Sequence, residues 1–433
     1  MTAIKFFFKK YLTSPFVRNV SKLTGATAIA QLISVGTAPV LYRIYDKEFY
    51  GTLGVYMAIS SIIGTLSTFQ YTQAIIIEKS DSDALQIIWL VRIINIAIAI
   101  ISFFFIIFFG DLLIASLNNR LLHDYLIFLP ISIFFSGQNE LFRIWANRKE
   151  RYSVMTLNGI LTAIIVPAIS IFIGLLSHSS LGLFIGLFSG QIFPSLFMWW
   201  QLSKSHSFGL GSLDLKDVKR MGLKYINFPK FGLPAEFINR FSNQLPILML
   251  SHFAGAGFVG AYSLSVRILG LPIQLLSSSI NEVFRQRASK DYNSSGNCKP
   301  IFIKTFKTLI ILAIIPTLFI SIYGPKIFVF FFGSNWVQAG VFSQLLAFLF
   351  FMKFCVSPLS FVSVLANKLH FGLVMDIVTF SMSFLMLYIG LKIYKDYNLG
   401  ILLYSLGYGL LYLITFAMSY YFSKGPLIVH GKD

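Results

Sequence analysis

Apolar runs of roughly 20 residues recur from one end of this chain to the other, separated by short polar stretches. Each is long enough to cross a ~30 Å hydrocarbon core as a helix, and only helices or closed barrels satisfy their backbone polar groups there. About twelve such runs fall in the 433 residues, beginning near Val20, Thr52, Leu85, Asp124, Val154, Leu181, Phe231, Phe258, Thr305, Val341, His370 and Leu399. Only 12% of the residues are charged, against about 25% in soluble domains. The reading is an all-α polytopic membrane protein.

An even number of spans leaves both termini on one side. Putting the N-terminus in the cytoplasm places most of the 35 Lys and Arg residues on that side, Lys5, Lys9, Lys10 and Arg18 among them. The first hydrophobic stretch is long and lacks a small-residue cleavage site, so it reads as a retained helix rather than a signal peptide. Trp89, Trp145, Trp199 and Trp200 fall at expected cytoplasmic helix ends, where an amphipathic indole favours the interface. The net charge of +18 is spread over many short loops. It therefore reports topology and lipid-surface attraction, and no nucleic-acid partner is expected.

The longest central polar stretch begins at Ser203 and continues KSHSFGLGSLDLKDVKRMGLKYINFPK to Lys230. It divides the spans into six and six: an N-terminal lobe over 1–202, a cytoplasmic linker over 203–230 and a C-terminal lobe over 231–433. The second half of the linker reads as an interfacial helix that turns Lys216, Lys219, Arg220 and Lys224 towards headgroups. A faint repeat relates the halves. Pro39-Val40-Leu41 precedes Phe49-Tyr50-Gly51 in the first, and Pro246-Ile247-Leu248 precedes Phe258-Val259-Gly260 in the second.

The seventh run, FGLPAEFINRFSNQLPILML, carries charge where charge is expensive, roughly 2.5 kcal/mol or more for each group at bilayer depth. At 100° per residue, Glu236, Asn239, Arg240, Asn243 and Gln244 share an arc of roughly 140°, and Phe237, Ile238, Phe241 and Leu245 take the other side. That stripe faces water or a ligand. Glu236 and Arg240, at i and i+4, can also neutralise each other. Arg267, Arg92, Lys353, and Glu140 with Arg143 lie at depth in other spans, and Asp376 is the remaining intramembrane acid. Asp376 is expected to face Lys353. The cations outnumber the acids, which implies a cationic cavity holding an anionic amphiphile, arginine favouring phosphate through its planar fork of donors. Glu236, Asp376 and Glu140 are the candidates to carry a coupling ion.

Catalysis is poorly supported. No Ser/His/Asp set is discernible, no GxxxxGK[ST] loop could cradle ATP, and no outward loop exceeds about 17 residues. Cys298 and Cys355 make no disulfide framework, and the 6 histidines have no metal spacing. No metal and no cofactor is expected.

Residues 224–293, from KYINFPKFGLPAEFINRFSNQLPILML to VFRQRASKDYN, resemble the central signature of bacterial polysaccharide transporters of the O-antigen flippase type. These belong to the multidrug/oligosaccharidyl-lipid/polysaccharide exporter superfamily. Residues 25–84 are similar to the family's opening, with Pro39, Arg43, Phe49-x-Gly51 and the Gln73 to Lys79 stretch. The resemblance implies two six-helix lobes forming a V around a central cavity, in the bacterial plasma (inner) membrane. The implied substrate is undecaprenyl-diphosphate-linked oligosaccharide (O-antigen, capsule or a similar repeat unit). It would move to the outer leaflet by alternating access driven by a proton or sodium gradient, with a polysaccharide polymerase and a chain-length regulator as downstream partners. A drug or metabolite antiporter of the same fold, and an envelope polymerase or ligase, are the alternatives.

Overall fold

The computed structural model describes residues 15–177, 179–204, 213–273 and 278–425. Lys5, Lys9, Lys10 and residues 205–212 of the expected linker lie outside them. Twelve long helices coincide with the apolar runs: α1 (Pro15–Ile44), α2 (Lys47–Gly64), α3 (Asp81–Leu117), α4 (Leu129–Arg148), α5 (Tyr152–Ser177), α6 (Leu181–Ser203), α7 (Leu233–Ala254), α8 (Ala256–Pro272), α9 (Lys299–Phe332), α10 (Val337–Val356), α11 (Leu369–Tyr388) and α12 (Tyr397–Ser423). No strand occurs among the described residues. The fourth expected span begins with a break, because the short helices over Arg120–Leu126 meet α4 at 60°. A polar helix, Ser278–Ser295, follows α8 and was not expected.

Apolar side chains lie on the outside of these helices as well as the inside. On α3, Phe108 is 74% and Leu112 69% exposed; on α9, Ile315 is 73% and Phe330 72%. Water would not tolerate a continuous surface of this kind, whereas lipid does. Among the described residues, eight helical segments are long and apolar enough to cross a bilayer, or nine if the bent pair is one span. α1, α7 and α8 fall outside that set: the apolar part of α1, Ala28–Ile44, and α8, with 17 residues, are short, and the polar stripe of α7 lowers its hydropathy.

With hydrocarbon outside, helices gain little by hiding leucine from lipid and associate instead where small residues let backbones approach. On α6, Gly182, Gly186 and Gly190 fall at four-residue spacing and face α5. A Cβ on Gly186 would lie 2.1 Å from the Ser170 hydroxyl, and one on Gly190 would lie 2.2 Å from Val166. Tyr45 closes the end of this seam, its hydroxyl donating to the Ser170 carbonyl at 2.6 Å. The halves repeat their pairings: α5 packs on α6 and α4 on α6, as α11 packs on α12 and α10 on α12.

Contacts divide the chain into two compact units. The first holds the chain up to Phe49 with Tyr56–Ser116 and Arg120–Arg240. The second holds Phe241 onward together with the short segments Tyr50–Val55 and Leu117–Asn119. Within this second unit Gly51 meets α8 so closely that a Cβ would lie 1.7 Å from the Ala256 carbonyl oxygen. The Thr52 hydroxyl donates to Asn119 Oδ1 at 3.2 Å, and the Ser251 hydroxyl to the Leu117 carbonyl at 2.6 Å.

Candidate functional site

The first unit holds an open cavity of about 530 Å³ in whose lining serine, threonine and glutamine are the commonest residues. Its floor is the end of α2 and the segment after it, SSIIGTLSTFQYTQ over residues 60–73. Here the helix tightens to a 3₁₀ turn at Thr65–Ser67, and Phe69 and Gln70 take left-handed φ of 46° and 61° before the chain resumes a short helix at Thr72. Consecutive non-glycine residues in that region cost roughly 1–2 kcal/mol each. In return, Thr68, Gln70, Thr72 and Gln73 are turned onto the cavity, as are Ser60, Ser61, Thr65 and Ser67. Gln191 of α6 and Ser136 of α4 complete the neutral polar lining.

Two ion pairs supply the cavity's charge. Glu140 and Arg143 face it from α4 at i, i+3; Arg143 Nη2 donates to Oε2 at 2.8 Å and Nε to the same oxygen at 3.1 Å. Glu236 and Arg240 face it from α7 at i, i+4, Arg240 Nε donating to Oε1 at 2.7 Å. Both arginines are open to the cavity, with side-chain exposures of 55% and 53%. Arg240 spends only Nε on its carboxylate, so among the described residues its terminal Nη groups have no hydrogen bond.

Within this first-unit cavity the two pairs leave the wall balanced rather than cationic. The lining residues hold a cation and a carboxylate on each of two helices, and the formal charge of the wall is balanced. Helical spacing is the reason: an acid three or four residues from an arginine reaches it without any tertiary help.

The remaining expected residues lie elsewhere. Arg92 of α3 opens into a separate, largely apolar cavity of about 320 Å³ lined by Trp89, Gln138, Phe142 and Trp199. Its guanidinium lies 5.1 Å from the centre of the Trp89 ring. Gln138 and Phe142 project from the face of α4 opposite Gly137, Glu140 and Arg143, so α4 separates Arg92 from the polar cavity. Arg267, Asn243, Gln244, Lys353 and Asp376 belong to the second unit. The expected approach of Asp376 to Lys353 is not observed. Lys353 Nζ has no ion pair among the described residues and lies 5.8 Å from the Phe350 ring centre. Asp376 is instead within electrostatic range of Tyr408 and Tyr412 on α12. Trp145, expected at an interface, is fully buried against Ile75, Ile87 and Met198.

The linker's second half is helical over Leu215–Lys224, capped by the Asp214 carboxylate accepting from the Lys216 amide at 2.8 Å. It docks on the first unit. Val218 and Met221 are buried, Arg220 Nη2 meets Asp83 Oδ1 at 2.8 Å, and the Tyr71 hydroxyl donates to the Gly222 carbonyl at 2.9 Å. Lys224 pairs with Glu78, which also accepts from the Tyr225 hydroxyl at 2.9 Å. The Lys224 ammonium, Tyr225 and the backbone amides of Ser80 and Lys79 hold the Glu78 carboxyl down at about 2, against desolvation by burial. Arg220 and Lys224 are thus committed to acids of the first unit rather than directed to headgroups.

The family model for polysaccharide biosynthesis proteins matches residues 40–341. No protein of curated function matches the chain in sequence. Among solved structures, the lipid II flippase MurJ in an inward closed conformation superimposes with a TM-score of 0.71 at 14% identity, over 91% of this chain and 87% of that one. An inward-facing multidrug resistance MATE family transporter of the MOP superfamily gives 0.66 at 15% identity, over 90% and 93%. The MATE multidrug transporter DinF-BH, solved as a complex, gives 0.61 at 16%, over 92% and 95%. With its all-helical, many-span fold and a family match over most of its length, the chain belongs to the polysaccharide biosynthesis protein family and shares the fold of these MATE and MurJ structures.

Proposed function

We propose that the protein is a flippase that carries undecaprenyl-diphosphate-linked oligosaccharide from the cytoplasmic to the outer leaflet of the plasma membrane. The observation that carries this reading is the polar cavity of the first unit, where Arg143 and Arg240 stand exposed in a wall of hydroxyls and amides. Arginine's planar donors fit phosphate, and serine, threonine and glutamine exchange hydrogen bonds with sugar hydroxyls as readily as with water. A membrane protein of a polysaccharide biosynthesis family needs both kinds of contact for a glycan on a diphosphate lipid. A cationic drug would call for an acid-rich wall, and this wall is balanced. Alternating access driven by a proton or sodium gradient completes the reading, with Asp376 in the second unit as a coupling candidate. A polymerase and a chain-length regulator would take the exported repeat unit.

The test is surface glycan in cells whose only copy of the protein carries Arg143→Ala or Arg240→Ala. Export should fall at least tenfold while the protein still reaches the membrane, and Lys at either position should restore it only in part, because an ammonium lacks the paired, coplanar donors. Normal export by both Ala variants would refute the assignment.

A further inference from the structure

The two ion pairs share a design that phosphate binding alone does not require. Each arginine is matched by a carboxylate on its own helix, within 2.8 Å, in a cavity with room for a ligand. The remaining ionisable group on the wall, Tyr56, is turned to Ser132 at 2.8 Å. No further lysine, histidine or acid lines it among the described residues. We propose that Glu140 and Glu236 are stand-ins for the substrate's phosphate oxygens: each holds its arginine while the cavity is empty and must give it up when the diphosphate arrives.

The geometry carries this in two steps. A carboxylate presents two oxygens to a guanidinium much as a phosphate does, so the ligand for which the arginine is suited and the neighbour it already has are chemical competitors. At Arg143 the competition is direct, since Glu140 spans Nε and Nη2 with contacts of 3.1, 3.0 and 2.8 Å. At Arg240 both terminal nitrogens are open, but a phosphate bound there would lie close to the Glu236 carboxylate and repel it. In either case the anion binds more tightly once the acid is neutralised. Neutralising either acid is therefore linked to anion binding, and the empty wall carries no net charge to hold stray anions.

This inference rests on the diphosphate-lipid reading, and the experiment separates the two. Farnesyl diphosphate is titrated calorimetrically into the purified full chain in nanodiscs at pH 7.5, with farnesol as the uncharged control. Glu140→Gln/Glu236→Gln should bind it at least tenfold more tightly than wild type. Protons taken up on binding, obtained by repeating the titration in buffers of different ionisation enthalpy, should be fewer in the double variant. Single variants, and Glu236→Ala beside Glu236→Gln, should move affinity in the same direction, which guards against misfolding of any one. Equal or weaker binding by the Gln variants overturns the inference while leaving the substrate reading intact. Wild type that binds no farnesyl diphosphate, or that Arg143→Ala/Arg240→Ala matches in affinity, overturns both.

Discussion

Glu78→Gln should release the linker helix from the first unit at neutral pH. Glu78 is 6% exposed and receives Lys224, Tyr225 and the backbone amides of Lys79 and Ser80. Its carboxyl lies at about 2 instead of 4.5, and at 1.36 kcal/mol for each unit the docked state gains roughly 3 kcal/mol from the ionised form. Lys224 is half-exposed, so solvent screening reduces this to about 2 to 3 kcal/mol, or about a 30-fold to 150-fold change in the opening equilibrium. The sign is that of a depressed acid: the contribution is complete above pH 4.5, declines as the carboxyl protonates, and is gone below about pH 2. Amide hydrogen exchange in detergent reads it directly. Residues 215–224 should lose protection by that factor in Glu78→Gln at pH 7, and wild type should approach the variant as pH falls from 4.5. Protection unchanged in the variant would show that burial of Val218 and Met221 holds the helix without the ion pair, and the electrostatic argument would fail.

Three further outcomes follow from other contacts. Gly51→Ala places a methyl 1.7 Å from the Ala256 carbonyl, an overlap backbone cannot absorb, and should lower the melting temperature in detergent by several degrees. Asn95, fully buried, donates to the Ile133 carbonyl at 3.2 Å and accepts from Gln138 at 3.0 Å; Asn95→Ala leaves the Ile133 carbonyl its bond from the Ser136 hydroxyl but strands the buried Gln138 amide, and should cost about 1–3 kcal/mol in denaturant unfolding. The Cys298 thiol, buried beneath the Ser278–Ser295 helix and pushed up to about 11 chiefly by desolvation, should resist maleimide at pH 7.5 until denaturant is added.

The spans and the charged half of the site were legible because hydrocarbon sets a harsh filter. Glu236, Arg240, Glu140 and Arg143 stand out against apolar neighbours, and i, i+3 or i, i+4 spacing states their pairing in one dimension. The neutral half was not legible. Ser60 to Gln73 reads as the tail of a hydrophobic run, since its serines and threonines hardly lower mean hydropathy and its two glutamines are isolated, and the left-handed turn at Phe69-Gln70 uses no glycine to announce itself. Position along a span carries no azimuth, and α4 stands between Arg92 and the polar cavity. The linker helix was foreseen from its amphipathic pattern. Its docking was not, because Glu78 and Lys224 are 146 residues apart and only the fold joins them.

The exchange at the two arginines also fixes which acid can serve a proton-driven exporter. Outward transport coupled to inward proton flow requires proton and substrate to exclude one another, so that one leaves as the other binds. Glu140 and Glu236 give the opposite linkage: protonating either frees an arginine and draws the anion in. A proton riding with the substrate would be carried outward against its gradient, so these carboxylates can gate the site but cannot drive it. Asp376 lies on α11 in the second unit, within electrostatic range of Tyr408 and Tyr412, and does not line the first unit's cavity. In proteoliposomes with an imposed pH gradient, Asp376→Asn should abolish the stimulation of lipid-diphosphate flipping while leaving farnesyl diphosphate affinity within twofold of wild type. Glu236→Gln should bind more tightly and still respond to the gradient. If Glu236→Gln loses the response and Asp376→Asn keeps it, the coupling proton passes through the first unit's cavity and the sign argument is wrong.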